Sequence, residues 1–286
     1  MAMASARNLQ VHAQPVARRG WWLRAALVVL LLGLTVAAGL AGRHRMRVQQ
    51  PSAQASTLRA DHAAWSLVLG ITTWKGSVDF RALRHDPVLL DRYVASLEAV
   101  PPTEYQRWSR QERIAFWINA YNAYVLQYLR DHPELHNLRD VGALPYAWFR
   151  QAFVPLGPGH GGPLSLGEIA DDILGTELGD PRARLALAFG AVDGPTLPGL
   201  AYDGQALASQ LDDAARRFVR DPRHVRLDGL SGTLHLSPVF KWGRSEFERD
   251  QGLVNFVARY ATDADAVAIL NGTQHIVFSD FDWSVR

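Results

Sequence analysis

At 286 residues, with 48% apolar and 20% charged side chains, the chain has a globular composition and is long enough to bury one good core or two small ones. Its net charge of +2 hides an uneven distribution: seven arginines and no acid fall in the first fifty residues, leaving 23 of the 30 basic residues against all 28 acids beyond. That acidic remainder has only two lysines, Lys75 and Lys241, and no basic run interleaved with aromatics, which argues against nucleic-acid binding. The absence of cysteine excludes disulfides, cysteine-linked lipids and cysteine-ligated metals.

Residues 1–20 form a basic tail. Residues 25–41 are uncharged and mostly aliphatic, and as a helix they cover about 25 Å at 1.5 Å per residue. Trp21 and Trp22 lengthen this span at the interface and Arg24 can snorkel, so 21–42 is expected to be a transmembrane anchor or signal-anchor. A cleaved signal peptide is the alternative, with Gly39 and Ala41 as small residues near a cut, but Arg43, Arg45 and Arg47 directly beyond disfavour processing. The arginine excess upstream of the span favours an internal N-terminus and an exported domain.

Residues 43–56 then act as a linker, and a single globular domain is expected over 57–286. Apolar spacing predicts helices over 57–70 and 87–98, the second ended by Pro101 and Pro102. The longest helical pattern, 110–130, is apolar on all sides and belongs inside the fold. Ser165 and Glu168 make a capping box for a helix reaching Leu174. A buried strand is expected over 184–191, a hairpin from 225–227 and 233–236, helices over 204–220 and 245–260, and a last strand over 275–278. Helices mostly precede strands, so the predicted class is α+β: a helix-rich N-terminal half on a small mixed or antiparallel sheet.

Most isolated motifs carry little chemistry. Residues 157–162 fit GxGxxG, but Pro158 and Pro163 interrupt the pattern and no βαβ unit follows, so a loop is expected, with His160 near a cleft. His132 and His136 have zinc-ligand spacing, but Pro133 prevents a continuous helix and no third ligand is visible, so no metal is expected. Neither GxSxG nor HExxH occurs, and Ser165, Ser231 and Ser237 lack a motif that would single out a nucleophile. Asn119 and Asn122 put two carboxamides in an aromatic helix, where they either orient a ligand or tie down neighbouring loops; buried amides mostly do the second.

Four segments together are more specific: Phe116-Trp117-Ile118-Asn119-Ala120-Tyr121-Asn122-Ala123, Asp180-Pro181-Arg182, residues 237–247, and Phe281-Asp282-Trp283. With these the chain closely resembles the family called domain of unknown function 547, over roughly residues 60–285. Family members read like DPR-x-HFAL-x-CGS-x-SCP-x-L, and the matching stretch here runs from Asp180 to Leu197 with Arg184 at the histidine, Phe189 at the first cysteine and Gly194 at the second. Where the family usually has Ile-Glu-His, this chain has Ile169-Ala170-Asp171. The family's pattern invites a thiol-hydrolase reading, which fails here, because phenylalanine cannot attack a carbonyl and Arg184 stays protonated. The resemblance implies convergence of Phe189 and Gly194 on the Asn119/Asn122 helix.

The expected object is a divergent, single-pass inner-membrane protein with a periplasmic binding or accessory module and a degenerate thiol site. No catalytic residue or cofactor is assigned, and the partners are the inner membrane and an unidentified protein or small molecule. The candidate cleft comprises Trp117, Asn119, Tyr121, Asn122, Glu168, Arg182, Arg184, Phe189, Ser237, Trp242 and Asp282, with Arg182 offered as the partner of Asp282. The alternative is a hydrolase with a non-cysteine site around Asn119, Asn122 and Asp282.

Overall fold

The computed structural model describes residues 62–74, 76–143, 146–155 and 162–286, all within the unit Thr57–Arg286. The segment 21–42 and His160 lie outside them, and no helix among the described residues is long and apolar enough to cross a membrane.

Helix α1 (His62–Thr72) leads into a short hairpin of β1 (Thr73–Trp74) and β2 (Ser77–Val78), then α2 (Phe80–His85), α3 (Val88–Glu98) and α4 (Pro102–Tyr105). Helix α5 (Arg110–Asp131) starts at a complete capping box, with Ser109 Oγ accepting from Glu112 N at 3.2 Å and Ser109 N donating to Glu112 at 2.8 Å. It ends at His132, ahead of Pro133. Every side chain from Ile114 to Leu126 is buried, so this helix is enclosed on all sides, with α2 and α3 among its neighbours.

After a 3-10 turn (Leu138–Asp140) come α6 (Ala147–Arg150) and an antiparallel pair, β3 (Ala152–Val154) with β4 (Leu164–Ser165). The predicted capping box exists, Ser165 N and Oγ each donating to Glu168 at 2.7 Å. The helix it opens is a π-helix (Glu168–Glu177), whose wider winding appears in the bonds from Leu178 N to Ile173 O and Gly179 N to Leu174 O. A 3-10 helix (Pro181–Ala186) follows, and then α7 (Leu207–Val219).

The hairpin is present as β5 (Val225–Asp228) and β6 (Thr233–Leu236), antiparallel with Val225 opposite Leu236. Short helices α8 (Pro238–Trp242) and α9 (Arg244–Arg249) precede α10 (Leu253–Tyr260) and α11 (Asp263–Gly272), and β7 (His275–Phe278) joins β6 in parallel. Leu234 and Leu236 of this central strand are fully buried, which fixes its register against the helices. The fold is a helix-rich α+β arrangement with small antiparallel and mixed sheets.

Two expectations need correction. Residues 184–191 are not a strand: the 3-10 helix takes the first three, and the extended remainder finds its hydrogen bonds elsewhere, as described below. The helix expected over 245–260 is broken by Gln251 and Gly252, both at positive φ (69° and 92°), so the chain turns between α9 and α10. The last residues close the domain. Leu138 N donates to Trp283 O, Val285 N to His136 O and Arg286 N to Gly190 O, so residues 283–286 run between two distant loops.

Candidate functional site

The two asparagines of α5 act on backbone. Asn119 Nδ2 donates to Tyr202 O at 2.8 Å and its Oδ1 accepts from Tyr202 N at 3.0 Å. Asn122 repeats the device one turn on, donating to Ala186 O at 3.0 Å and accepting from Ala188 N at 2.8 Å. Each carboxamide thus takes the place of a neighbouring strand, which is why 184–191 has a strand's sequence without a strand's ladder. Both side chains are buried, and Asn119 Nδ2 also meets His62 Nδ1 at 3.3 Å.

The other face of 184–189 is ionic. Arg184, only 5% exposed, donates to Asp171 at 2.6 Å, to Ala170 O at 3.3 Å, and through Nε and Nη2 to both carboxylate oxygens of Glu246. Burial alone would lower the guanidinium's pKa, but Glu246 and Asp171 outweigh it and hold Arg184 above its ordinary value. Two glycines make room for this pair. A Cβ on Gly243 would stand 2.6 Å from Arg184 Cδ, and one on Gly175 would stand 2.7 Å from the Glu246 carboxylate. Asp171 itself is 62% exposed, so the cluster runs from the interior to the surface.

Above it opens a cleft of about 580 Å³ whose floor includes Arg184, Ala170 and Phe189. Its aromatic wall is continuous: the Phe149 ring meets Phe189 edge-on at 5.5 Å, and Trp242 lies 5.9 Å from Phe189 and 6.3 Å from Phe149. Arg150 and Lys241 supply cations, while Glu168, Asp171 and Asp172 supply carboxylates from the π-helix. A second cavity of about 420 Å³, lined by Arg139, Trp148 and Trp283, adjoins the first through Tyr146 and Phe149, which line both.

Of the residues proposed from sequence, Glu168, Arg184, Phe189 and Trp242 line the cleft. Asn119 and Asn122 do not, for the reason given above. Trp117 is enclosed, its Nε1 donating to the Tyr105 hydroxyl at 2.8 Å. Tyr121 is likewise buried, against Phe189, and its hydroxyl has no hydrogen-bond partner among the described residues; burial raises its pKa far above 10, opposed by the charge of Arg184. Ser237 caps α8. Arg182 is not the partner of Asp282: it pairs with Asp180 at 2.7 Å and Asp212 at 2.8 Å, tying the 3-10 helix to α7, while exposed Asp282 accepts from Ser284 N at 2.9 Å. Of the two positions expected on α5, Phe189 packs on Tyr121, whereas the nearest neighbours of Gly194 are Ala191 and Phe189.

Tyr146, Phe149, Arg150, Asp172, Lys241 and Glu246 escaped the sequence reading as site residues. The density of rings over 146–149 was the available signal for the first two, and a lone carboxylate between apolar Trp242 and Phe247 was the signal for Glu246. The family model described as Protein of unknown function, DUF547, matches residues 105–219.

Residues 105–219 are a DUF547 domain.

No curated protein and no solved structure matches the chain. The DUF547 match spans α5, α6, the π-helix, the 3-10 helix and α7, and so includes the cleft positions 146–189. Lys241, Trp242 and Glu246 lie beyond it, so the DUF547 segment supplies most of the cleft while α8 and α9 close it and neutralise its buried arginine.

Proposed function

We propose that this chain is a non-catalytic binding or accessory module that uses the cleft above Arg184, held at the inner membrane by residues 21–42 with its globular domain in the periplasm. The observation that carries the reading is the state of the two positions where the resemblance expects imidazole and thiol. Arg184 is clamped by two carboxylates and Phe189 is packed among rings, so neither supplies a nucleophile or a base. Open volume remains over them, with aromatic walls and exposed charges, which is the composition of a small-molecule site. The hydrolase alternative finds no support in geometry: Asn119 and Asn122 are consumed by backbone, and Asp282 is exposed and absent from the cleft lining.

The full chain in detergent, offered a panel of ester and amide substrates, is expected to give no turnover. Phe189→Cys with Arg184→His is expected to restore at most a trace, because Ala170 and Asp171 leave the third position of the resemblance changed as well. Turnover by the wild type that is lost on changing Glu168, Asp171 or Asp172 in a folded protein would overturn the reading. Protease treatment of spheroplasts, with 21–42 retained, is expected to cleave the globular domain; protection until lysis would reverse the topology.

A further inference from the structure

The cleft contains three exposed charges with no ion-pair partner among the described residues: Asp172, Arg150 and Lys241. Arg184 is not available to a ligand, since Glu246 neutralises it from below and Asp171 from the side. Among the described residues a ligand's anionic group therefore has Arg150 and Lys241 to meet it, and a cationic group has Asp172, since Asp171 is taken by Arg184 and Glu168 by Ser165. The two cations are chain neighbours of the rings Phe149 and Trp242, whose centroids are 6.3 Å apart, and all four residues line the cleft. The three acids all come from the single π-helix.

This distribution discriminates by charge type. A simple anion meets two cations but suffers Asp172, and a simple cation suffers Arg150 and Lys241. A molecule with both charges on an apolar body satisfies each side without leaving the other unmatched. Shape adds a second restriction. The two cavities, about 580 and about 420 Å³, adjoin at Tyr146 and Phe149, which line both, so apolar surface extends beyond the first cavity and suits a molecule with more than one apolar group. At the junction Tyr146 holds a left-handed backbone (φ 61°), a conformation costly for a non-glycine residue, and presents a half-exposed ring between the lobes.

Resting on the reading of the cleft as a binding site, we infer that its ligand class is a short zwitterion with apolar side groups, the chemistry of a di- or tripeptide with free ends. The carboxylate lies by Arg150 and Lys241, the ammonium by Asp172, and the side groups lie on the Phe149, Phe189 and Trp242 rings.

The test uses the full chain in detergent and four forms of leucyl-phenylalanine: free, N-acetylated, C-amidated and doubly blocked, with binding followed by calorimetry and tryptophan fluorescence. The free dipeptide is expected to bind saturably, and each block to weaken it by about tenfold. Asp172→Asn should erase the penalty of N-acetylation and keep that of amidation; Arg150→Gln with Lys241→Gln should do the reverse. These side chains are exposed, so the variants stay folded. Equal binding of the free and doubly blocked forms, or tighter binding of 3-phenylpropionate than of the free dipeptide, overturns the zwitterion while leaving a binding cleft. Absence of saturable binding by every form also overturns it. Release of free leucine from the dipeptide is a different failure, because it removes the non-catalytic reading underneath.

Discussion

The stretch 184–189 has two polar neighbours built on opposite principles. On one side Asn122 offers a neutral amide that matches backbone donor to acceptor and brings no charge inside. On the other side Arg184 brings a full charge into the interior, needs two carboxylates to hold it, and carries the cluster out to a solvent-exposed Asp171. Amide and arginine are equally polar in a sequence, but only the second arrangement leaves chemistry facing an open space. Polar residues inside a fold are thus sorted by where their partners end: at backbone, they shape the chain; at the surface, they shape a site.

The sharpest way to break this contrast is to remove a partner of the buried charge. Glu246→Ala leaves Arg184 with Asp171 alone and is expected to destabilise the domain by about 3–4 kcal/mol in urea unfolding, whereas Arg184→Met with Glu246→Leu should recover most of the loss. A cost of Glu246→Ala below about 1 kcal/mol would mean that the ion pair is not a structural necessity.

Next in size is the amide. Asn122→Ala strands the Ala188 N–H and the Ala186 carbonyl, with an expected cost of about 2–4 kcal/mol and faster hydrogen exchange at Ala188. Asn122→Asp keeps the acceptor and should retain protection at Ala188. If exchange at Ala188 is unchanged in Asn122→Ala, the brace is not what orders this stretch.

Acid sharpens the comparison, because the amide brace does not titrate in this range. Two buried groups do: Glu246, whose pKa burial raises against the pull of Arg184, and His224, stacked on Phe218 at 4.0 Å with no partner for Nδ1 among the described residues; for His224 the shift defines a window. Burial lowers its pKa from 6.5 to about 4, with nearby Asp221 opposing the shift. Between those values the unfolded chain takes a proton that the fold refuses. The contribution of neutral His224 is therefore complete above about pH 6.5 and lost as pH falls toward 4, amounting to about 3 kcal/mol. His224→Gln should flatten the stability profile in that window; an unchanged slope would assign the loss elsewhere. The smallest effect is expected at Asp282, where Asp282→Ala should leave the unfolding midpoint within error, since the carboxylate is exposed and holds only a local turn.

Helix α5, the Ser165 capping box and the β5–β6 hairpin were legible because each is specified by neighbours in sequence: a cap three residues away, a helical stripe, a turn between alternating strands. The stretch 184–191 was not, because its partner is a side chain on α5 some sixty residues earlier, and apolar extended sequence looks alike whether a strand or an amide lies beside it. The break at Gln251 was visible only as the glycine after it. The cleft was half legible. Arg184 and Phe189 drew attention as departures from a family pattern, and Trp242 as part of the 237–247 segment that carries the resemblance, but Phe149, Arg150 and Asp172 become site residues only once β3 and β4 bring α6 alongside the π-helix. Conversely, Trp117 and Tyr121, included in the candidate cleft from sequence, are core in space.

The closing of residues 283–286 between the loops at 136–138 and 190–192 bears on how the domain is made. During synthesis α5 and the DUF547 segment emerge from the ribosome long before Trp283, Val285 and Arg286, so the Gly190 loop waits for its backbone partners until those residues are free of the exit tunnel. The elements beneath the cleft can collapse early, but the loop that follows Phe189 is fastened last. For as long as the chain is being made, the loop beyond the cleft floor lacks the backbone partners that fasten it, which is the interval in which chaperones would meet it.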